Sequence, residues 1–248
     1  MRLVTGFVAC LAVVFMAACS TSAVMDSQDN QYVETFQGIA PQASILLVPF
    51  ASTQSPYQDG EAVVMPEIRS QLATGHNVSV LDMATFQREW PTAVHSVGGF
   101  YSPVTGRFDA DRYHQAIRHF ASNVNPNNDH DLIVFPALVE KQADSKGRYA
   151  YWDGVKRRHT NAGTVMTDPR WHGTTRGLSL ELNTFTGAGD WLLTSYGGLL
   201  LPFYYEMDGS RPEVKRKPSM FDETDNIHSG VTVAIAPFME NVEAEPSR

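Results

Sequence analysis

Eight histidines and 27 acidic side chains give this chain material for several chemistries. Spacing decides which of them it can perform. A zinc site on one helix needs two histidines a turn apart, so that both rings reach the same ion. No His-Glu-x-x-His and no His-x-His occurs. His114 and His119 stand five apart on an expected helix and point to different faces. His159 and His172 flank an irregular stretch where they could meet, against the plainer reading of exposed loop histidines. A serine nucleophile on a strand-to-helix elbow needs Gly-x-Ser-x-Gly, which is absent. Glycoside hydrolysis needs two carboxylates about 5 to 10 Å apart. Glu181 and Asp190 fall on adjoining strands, but alternation turns both toward solvent. Gly187 and Gly189 precede no helix and no Lys-Ser pair, so they do not cradle a phosphate. The expectation is a chain with no catalytic residues, no metal and no cofactor: not an enzyme.

Cys19 is the residue whose setting does point to chemistry. Met1-Arg2 carries one positive charge, and Leu3 to Ala18 is an apolar run of about 16 residues ending in small side chains, the anatomy of an export signal. The run is shorter than the roughly 20 residues of a membrane span. Met16-Ala17-Ala18-Cys19 resembles the bacterial lipobox, although Met16 stands where leucine is usual. That resemblance implies a thiol modified with diacylglycerol and cleavage just before Cys19. Two or three acyl chains anchor stably, each buried CH₂ contributing about 0.8 kcal/mol. The only other cysteine, Cys10, leaves with the signal, so the mature domain has no disulfide and no thiolate site. Ser20-Thr21 after the cysteine favour the outer membrane by analogy with enteric sorting.

Without its signal the chain keeps 18 lysines and arginines against 27 acids, a net charge near −9. That balance excludes nucleic acid as a partner, since phosphate contacts need a basic stripe, and on the whole chain it gains nothing from anionic lipid. Lys156-Arg157-Arg158 and the stretch from Arg211 to Lys217 read as solvated turns or edge strands. Aromatics are the better clue to a surface. Tyr151, Trp152, Arg157, Phe203 and Tyr204 are the residues taken as a protein-docking surface, because interfaces favour tyrosine, tryptophan, phenylalanine and arginine.

The elements that must position these residues follow from periodicity. Residues 1–18 are the signal, 19–42 a polar tether in which the apolar Tyr32, Val33, Phe36 and Ile39 allow some order, 43–240 the domain and 241–248 a tail. Ser44 to Phe50 is a continuous apolar run, expected as a strand buried on both faces. Val64, Ile68 and Leu72 share a helix face, with the helix expected to start near Pro66. Asn77 to Leu81 alternates. Asp82 caps a short helix ended by Pro91, and Thr92 to Gly106 reads as loop. Asp109 caps a helix carrying Tyr113, Ala116, Ile117 and Phe120 on one stripe. Asp131 to Glu140, Arg148 to Trp152, Gly177 to Thr186 and Trp191 to Tyr196 read as strands, with Gly187 to Asp190 as a hairpin turn. Arg158 to Gly173 is irregular and Arg211 to Pro218 a solvated loop. A last helix presents Ile227, Val231, Ala234, Ile235 and Phe238. The order is that of an α+β domain, a mixed sheet with helices packed across it.

An Ile-Leu-Leu-Val-Pro-Phe strand, then Val-Ser-Val-Leu-Asp, then Asp-Leu-Ile-Val-Phe, then Leu-Ser-Leu-Glu-Leu-Asn-Thr-Phe-Thr-Gly-Ala-Gly-Asp-Trp-Leu-Leu form a series. In that order they resemble the domain shared by the TolB amino-terminal region, CsgG and the LpoB lipoproteins, over about Ser44 to Phe238. The resemblance implies a non-catalytic docking or assembly module in the periplasm. With the outer-membrane lipid anchor read from Cys19, it would bind a periplasmic protein partner, a peptidoglycan synthase or a flagellar or secretion assembly, or a second copy of itself. The insertion from Arg158 to Gly173 departs from the compact members, and no segment suits a pore-forming hairpin. The alternative reading of the same residues is a carbohydrate-binding or hydrolytic periplasmic module.

Overall fold

The computed structural model describes residues 27–50, 56–102, 104–159, 172–208 and 211–239, without the side chains of 205–208, 211 and 212. Cys19 and most of the insertion, 160–171, lie outside the described residues. In chain order come β1 (Gln31–Tyr32), β2 (Ser44–Leu47), α1 (Gln58–Leu72), β3 (Asn77–Val80), α2 (Met83–Ser96), α3 (Ala110–Val124) and β4 (Leu132–Lys146). They are followed by β5 (Tyr149–Trp152), β6 (Val155–Arg158), β7 (His172–Thr186), β8 (Trp191–Leu200), β9 (Phe203–Asp208), β10 (Arg211–Arg216) and α4 (Thr224–Met239).

The main sheet runs β1-β8-β7-β4-β2-β3 and is mixed: β2 is parallel to β3 and β4, while β4, β7 and β8 are antiparallel. Its two faces are read off the alternation. Ile45, Leu47, Leu132, Val134, Leu178, Leu180 and Leu182 point to the side where α1 and α4 pack, and the α1 stripe Val64, Ile68 and Leu72 and the α4 face meet them there. Leu46, Val48 and Ile133 point to the other side, against Phe86, Ala93, Phe120 and Ala121 of α2 and α3. The continuous apolar character of β2 thus has its expected cause, burial on both faces. Close approach of α4 to β8 requires glycine: a Cβ on Gly197 would stand 1.9 Å from the carbonyl oxygen of Gly230.

Pro136 marks where the sheet divides. Leu47 pairs with Val134, and the Val48 N–H donates to the Val134 carbonyl at 2.9 Å. Two residues on, on the same edge of β4, proline offers no N–H, which suits an edge without a partner strand. Beyond it β4 continues to Lys146, paired with β7 over its full length. At its far end it also pairs with β5 through Asp144↔Tyr151 and Lys146↔Tyr149. The β5–β6 ribbon then folds back across the sheet to β8, where the Gly198 N–H donates to the Asp153 carbonyl at 3.1 Å. The sheet is therefore curled at this end, and the curl encloses Ala143, Ala150, Trp152 and Leu201. A two-residue turn, Asp153-Gly154, makes the ribbon possible; both residues have positive φ, 39° and 72°, as the mirror-image hairpin turn demands.

Several expectations are corrected. Residues from Ser27 onward, read as tether, belong to the folded body: β1 pairs with β8 and Tyr32, Phe36 and Ile39 pack on the core. Pro66 and Pro91 lie inside α1 and α2 instead of opening or ending them, so part of the expected loop from Thr92 is helix. Both prolines are exposed, as are Ala62 and Gln87 four residues earlier. Water can take the hydrogen bonds that the prolines cannot supply. The stretch expected as a loop from Arg211 forms β10, paired antiparallel with β9. Asp82 and Asp109 cap their helices as expected, accepting from the Thr85 and Arg112 N–H groups at 2.9 and 3.1 Å.

Candidate interaction surface

Of the five residues expected to form a docking surface, three share one ribbon and two share another. Tyr151, Trp152 and Arg157 lie on β5 and β6; Phe203 and Tyr204, both half-buried, lie on β9. Only Tyr151 of the first three faces outward. Strand alternation sends Tyr149 and Tyr151 out and Ala150 and Trp152 in. Trp152 is 8% exposed, in contact distance of the backbones of Gly177 and Gly198. Its Nε1–H donates to Ser179 Oγ at 3.0 Å. It is a core residue and not part of a docking face.

Arg157 is also withdrawn from the surface. Its guanidinium donates to the Leu199 and Gly198 carbonyls at 3.0 Å each, to the Asn226 carbonyl at 2.8 Å and to Ser229 Oγ at 2.9 Å. One side chain thereby ties β6 to β8 and to the start of α4. Burial pushes its pKa down to about 10, with the charge of Glu223 opposing that shift.

Around Trp152 lies a polar network that no local sequence pattern announced. The Asp153 carboxylate, inside the curl, accepts from Ser27 Oγ at 3.0 Å, from Lys141 Nζ at 3.2 Å and from Ser179 Oγ. Lys141 also donates to Asp29 at 2.6 Å and lies 3.5 Å from the centroid of the Tyr196 ring. Tyr196 hydrogen-bonds Glu181, and burial with that bond raises its pKa. Glu181 accepts from Asn183 at 2.6 Å, Asn183 from Thr194 at 2.7 Å, and Thr194 from the Trp191 indole at 3.1 Å. The chain of bonds crosses the face of β7 and β8 that α2 and α3 leave half-covered. Glu181 is thus bonded to neighbours and not simply turned to solvent.

A cluster of exposed apolar side chains lies elsewhere. Gly98 and Gly99 both have φ near +75°, a region that favours glycine, and there the chain leaves α2. It folds into a small hairpin closed by the bridge Tyr101↔Phe108 and by Ser102 N–H donating to the Arg107 carbonyl at 2.8 Å. Tyr101 is 59%, Val104 90% and Phe108 52% exposed. Tyr101 and Phe108 rest on a ladder of rings leading inward. Phe100 is 5.6 Å from Tyr113 between centroids, Tyr113 is 6.4 Å from Phe185, and Phe185 is 5.7 Å from Phe135. Burial and the charge of Glu181 push the Tyr113 hydroxyl up to about 12, so it is neutral. From the sequence, Thr92 to Gly106 is expected as loop, with Phe108 outside that stretch. The signal available was aromatics on either side of Gly106, Phe100-Tyr101 before it and Phe108 after it, a hairpin pattern.

His159 is buried and His172 exposed, and among the described residues no group of three His, Cys, Asp or Glu side chains is placed to hold a metal ion. Among the described residues no helix is long and apolar enough to cross a membrane. Compared with family models, with curated proteins and with solved structures, the chain matches none.

Proposed function

We propose that this chain is a non-catalytic envelope lipoprotein, anchored through a lipid on Cys19 to the outer membrane, whose periplasmic domain docks a protein partner. On this reading its domain is of the TolB amino-terminal, CsgG and LpoB kind, a periplasmic positioning or assembly module. The observation that carries the docking is the aromatic hairpin. Tyr101, Val104 and Phe108 are presented to solvent on a base fixed by the ring ladder to the core. Pre-organised aromatics lose little entropy on binding, and burying one contributes about 2 kcal/mol, enough for more than a tenfold change in affinity.

Photo-crosslinking side chains placed at Tyr101 and Phe108 in living cells test this. Capture of one defined envelope protein from both positions, and not from exposed Thr92 on α2, supports the reading. The same protein captured from exposed Val104, and lost from Val104 in the double variant Tyr101→Ser/Phe108→Ser with the fold retained, completes it. No capture from either position contradicts it. Capture of the same chain alone makes the partner a second copy.

A second reading, glycan binding, rests on the half-covered sheet face, where Glu181, Asn183 and Thr194 lie between Tyr196 and Trp191. Retention of the protein on purified peptidoglycan, lost in Asn183→Ala, would select it.

A further inference from the structure

The β5–β6 ribbon has two faces of opposite character. Inward it presents Ala150 and Trp152 to the curl. Outward it presents Tyr149 and Tyr151, which are 39% and 38% exposed. The cross-strand register puts Lys156 opposite Tyr151 and Arg158 opposite Tyr149 on that same outer face. Lys156 Nζ stands 4.1 Å from the Tyr149 ring centroid and 5.7 Å from that of Tyr151. On β4, Lys146 and Asp144 join the face, paired with Tyr149 and Tyr151. Two tyrosines, three cations and one acid thus form a basic strip, on a chain whose mature net charge is near −9.

The same ribbon holds the first of the described residues. Ser27, the first described residue, is buried and hydrogen-bonded to Asp153 in the ribbon's turn. Asp29, two residues on, is bound to Lys141 beside it. Seven residues separate Ser27 from Cys19. Fully extended, the chain from Cys19 to Ser27 reaches no more than about 28 Å. A lipid on Cys19 therefore holds the turn of the ribbon within about 28 Å of the bilayer.

We infer that the outer face of the β5–β6 ribbon lies on an anionic membrane surface, with Lys146, Lys156 and Arg158 against lipid phosphates and Tyr149 and Tyr151 at headgroup depth. This rests on the lipoprotein reading above. Tyrosine is suited to that depth, with an apolar ring and a polar tip. The field of an anionic surface attracts this strip and repels the acidic remainder, which orients the domain. The whole-chain charge conceals the effect; it depends on where the cations lie. The aromatic hairpin of Tyr101 and Phe108 is left to a protein partner.

The test uses the processed, lipidated full chain purified from membranes, with a single environment-sensitive fluorophore on Tyr151→Cys or, as control, on Thr92→Cys. Acylated Cys19 offers no competing thiol. The protein is floated with vesicles of phosphatidylcholine alone or with added phosphatidylglycerol. The expected result is a blue shift and quenching by brominated lipid for the probe at 151 on the anionic vesicles only, reversed by high salt, with no change at 92. Lys146→Glu/Lys156→Glu/Arg158→Glu should abolish the shift. An equal shift on neutral vesicles overturns the role of lipid charge. Flotation with neutral vesicles reports the lipid by itself. An aqueous probe on a floating protein therefore overturns the ribbon contact alone, and an aqueous probe on a protein that floats with neither vesicle overturns the anchor as well.

Discussion

The hydroxyl of Ser27 donates a 3.0 Å hydrogen bond to the carboxylate of Asp153, 126 positions further along the chain. The bond joins the segment that leads into β1 to the turn of the ribbon that closes the curl. Asp153 has a second task, since its backbone holds φ at +39°. Asparagine tolerates that conformation, so Asp153→Asn isolates the charge from the turn. Among the described residues it leaves Lys141 with Asp29 as its one bonded acid. Lys141 is partly solvated, so the expected loss is about 2 kcal/mol, below the cost of breaking a fully buried pair. Asp153→Ala should cost more, because it also strains the turn. Urea unfolding measures both, and equal stability of Asp153→Asn and the parent would show the network to be inert.

Arg157 should behave as a clasp on α4. Lysine keeps the charge but cannot reproduce a planar fork reaching four acceptors. Arg157→Lys is expected to cost about 2 to 3 kcal/mol and to speed amide exchange selectively from Thr224 to Gly230. Unchanged exchange in that first stretch of α4 would remove the role assigned to the side chain.

Trp152 needs the space left by two glycines. A Cβ on Gly177 would stand 2.4 Å from the indole, and one on Gly198 would meet Val155 at 2.3 Å and the indole at 2.8 Å. Gly198→Ala is therefore expected to lose about 1 to 3 kcal/mol, the usual range for overpacking, and to change the near-ultraviolet circular dichroism of the buried indole. Intact spectra would mean that the ribbon shifts freely.

His159 gives a pH dependence with a defined sign. Burial holds its pKa below the ordinary value of 6.5, outweighing the opposing backbone hydrogen bonds. The folded pKa lies below the unfolded one, so its contribution to stability is whole above pH 6.5 and is lost as pH falls through the folded value. Unfolding free energy should decline on acidification below pH 6.5, by at most about 1.4 kcal/mol per pH unit from this group. His159→Phe should flatten that decline; an unaltered slope would assign it to the carboxylates instead.

Much of this fold is legible in the sequence where a pattern is local. The apolar run at β2, the Leu178-Leu180-Leu182 alternation, the stripe of α3 and the core face of α4 all appear where periodicity puts them. The capping aspartates do too. The prolines misled because the rule against them assumes a buried carbonyl, whereas Ala62 and Gln87 are exposed. Among the five expected docking residues, composition alone could not tell inward from outward. Alternation along Tyr149-Ala150-Tyr151-Trp152 could have separated Tyr151 from Trp152. The withdrawal of Arg157 depends on α4, about 70 residues away, and the Ser27–Asp153–Lys141–Ser179 network depends on distant segments meeting. Neither leaves a local trace.

The anchor is tested most directly by the intact mass and amino-terminal sequence of the chain extracted from the membranes of cells that make it. The account requires a mature protein beginning at Cys19, carrying two or three acyl chains, and shifted to a larger, membrane-retained precursor by Cys19→Ser. A mature chain that begins elsewhere, or that begins at Cys19 without acyl mass, would contradict it.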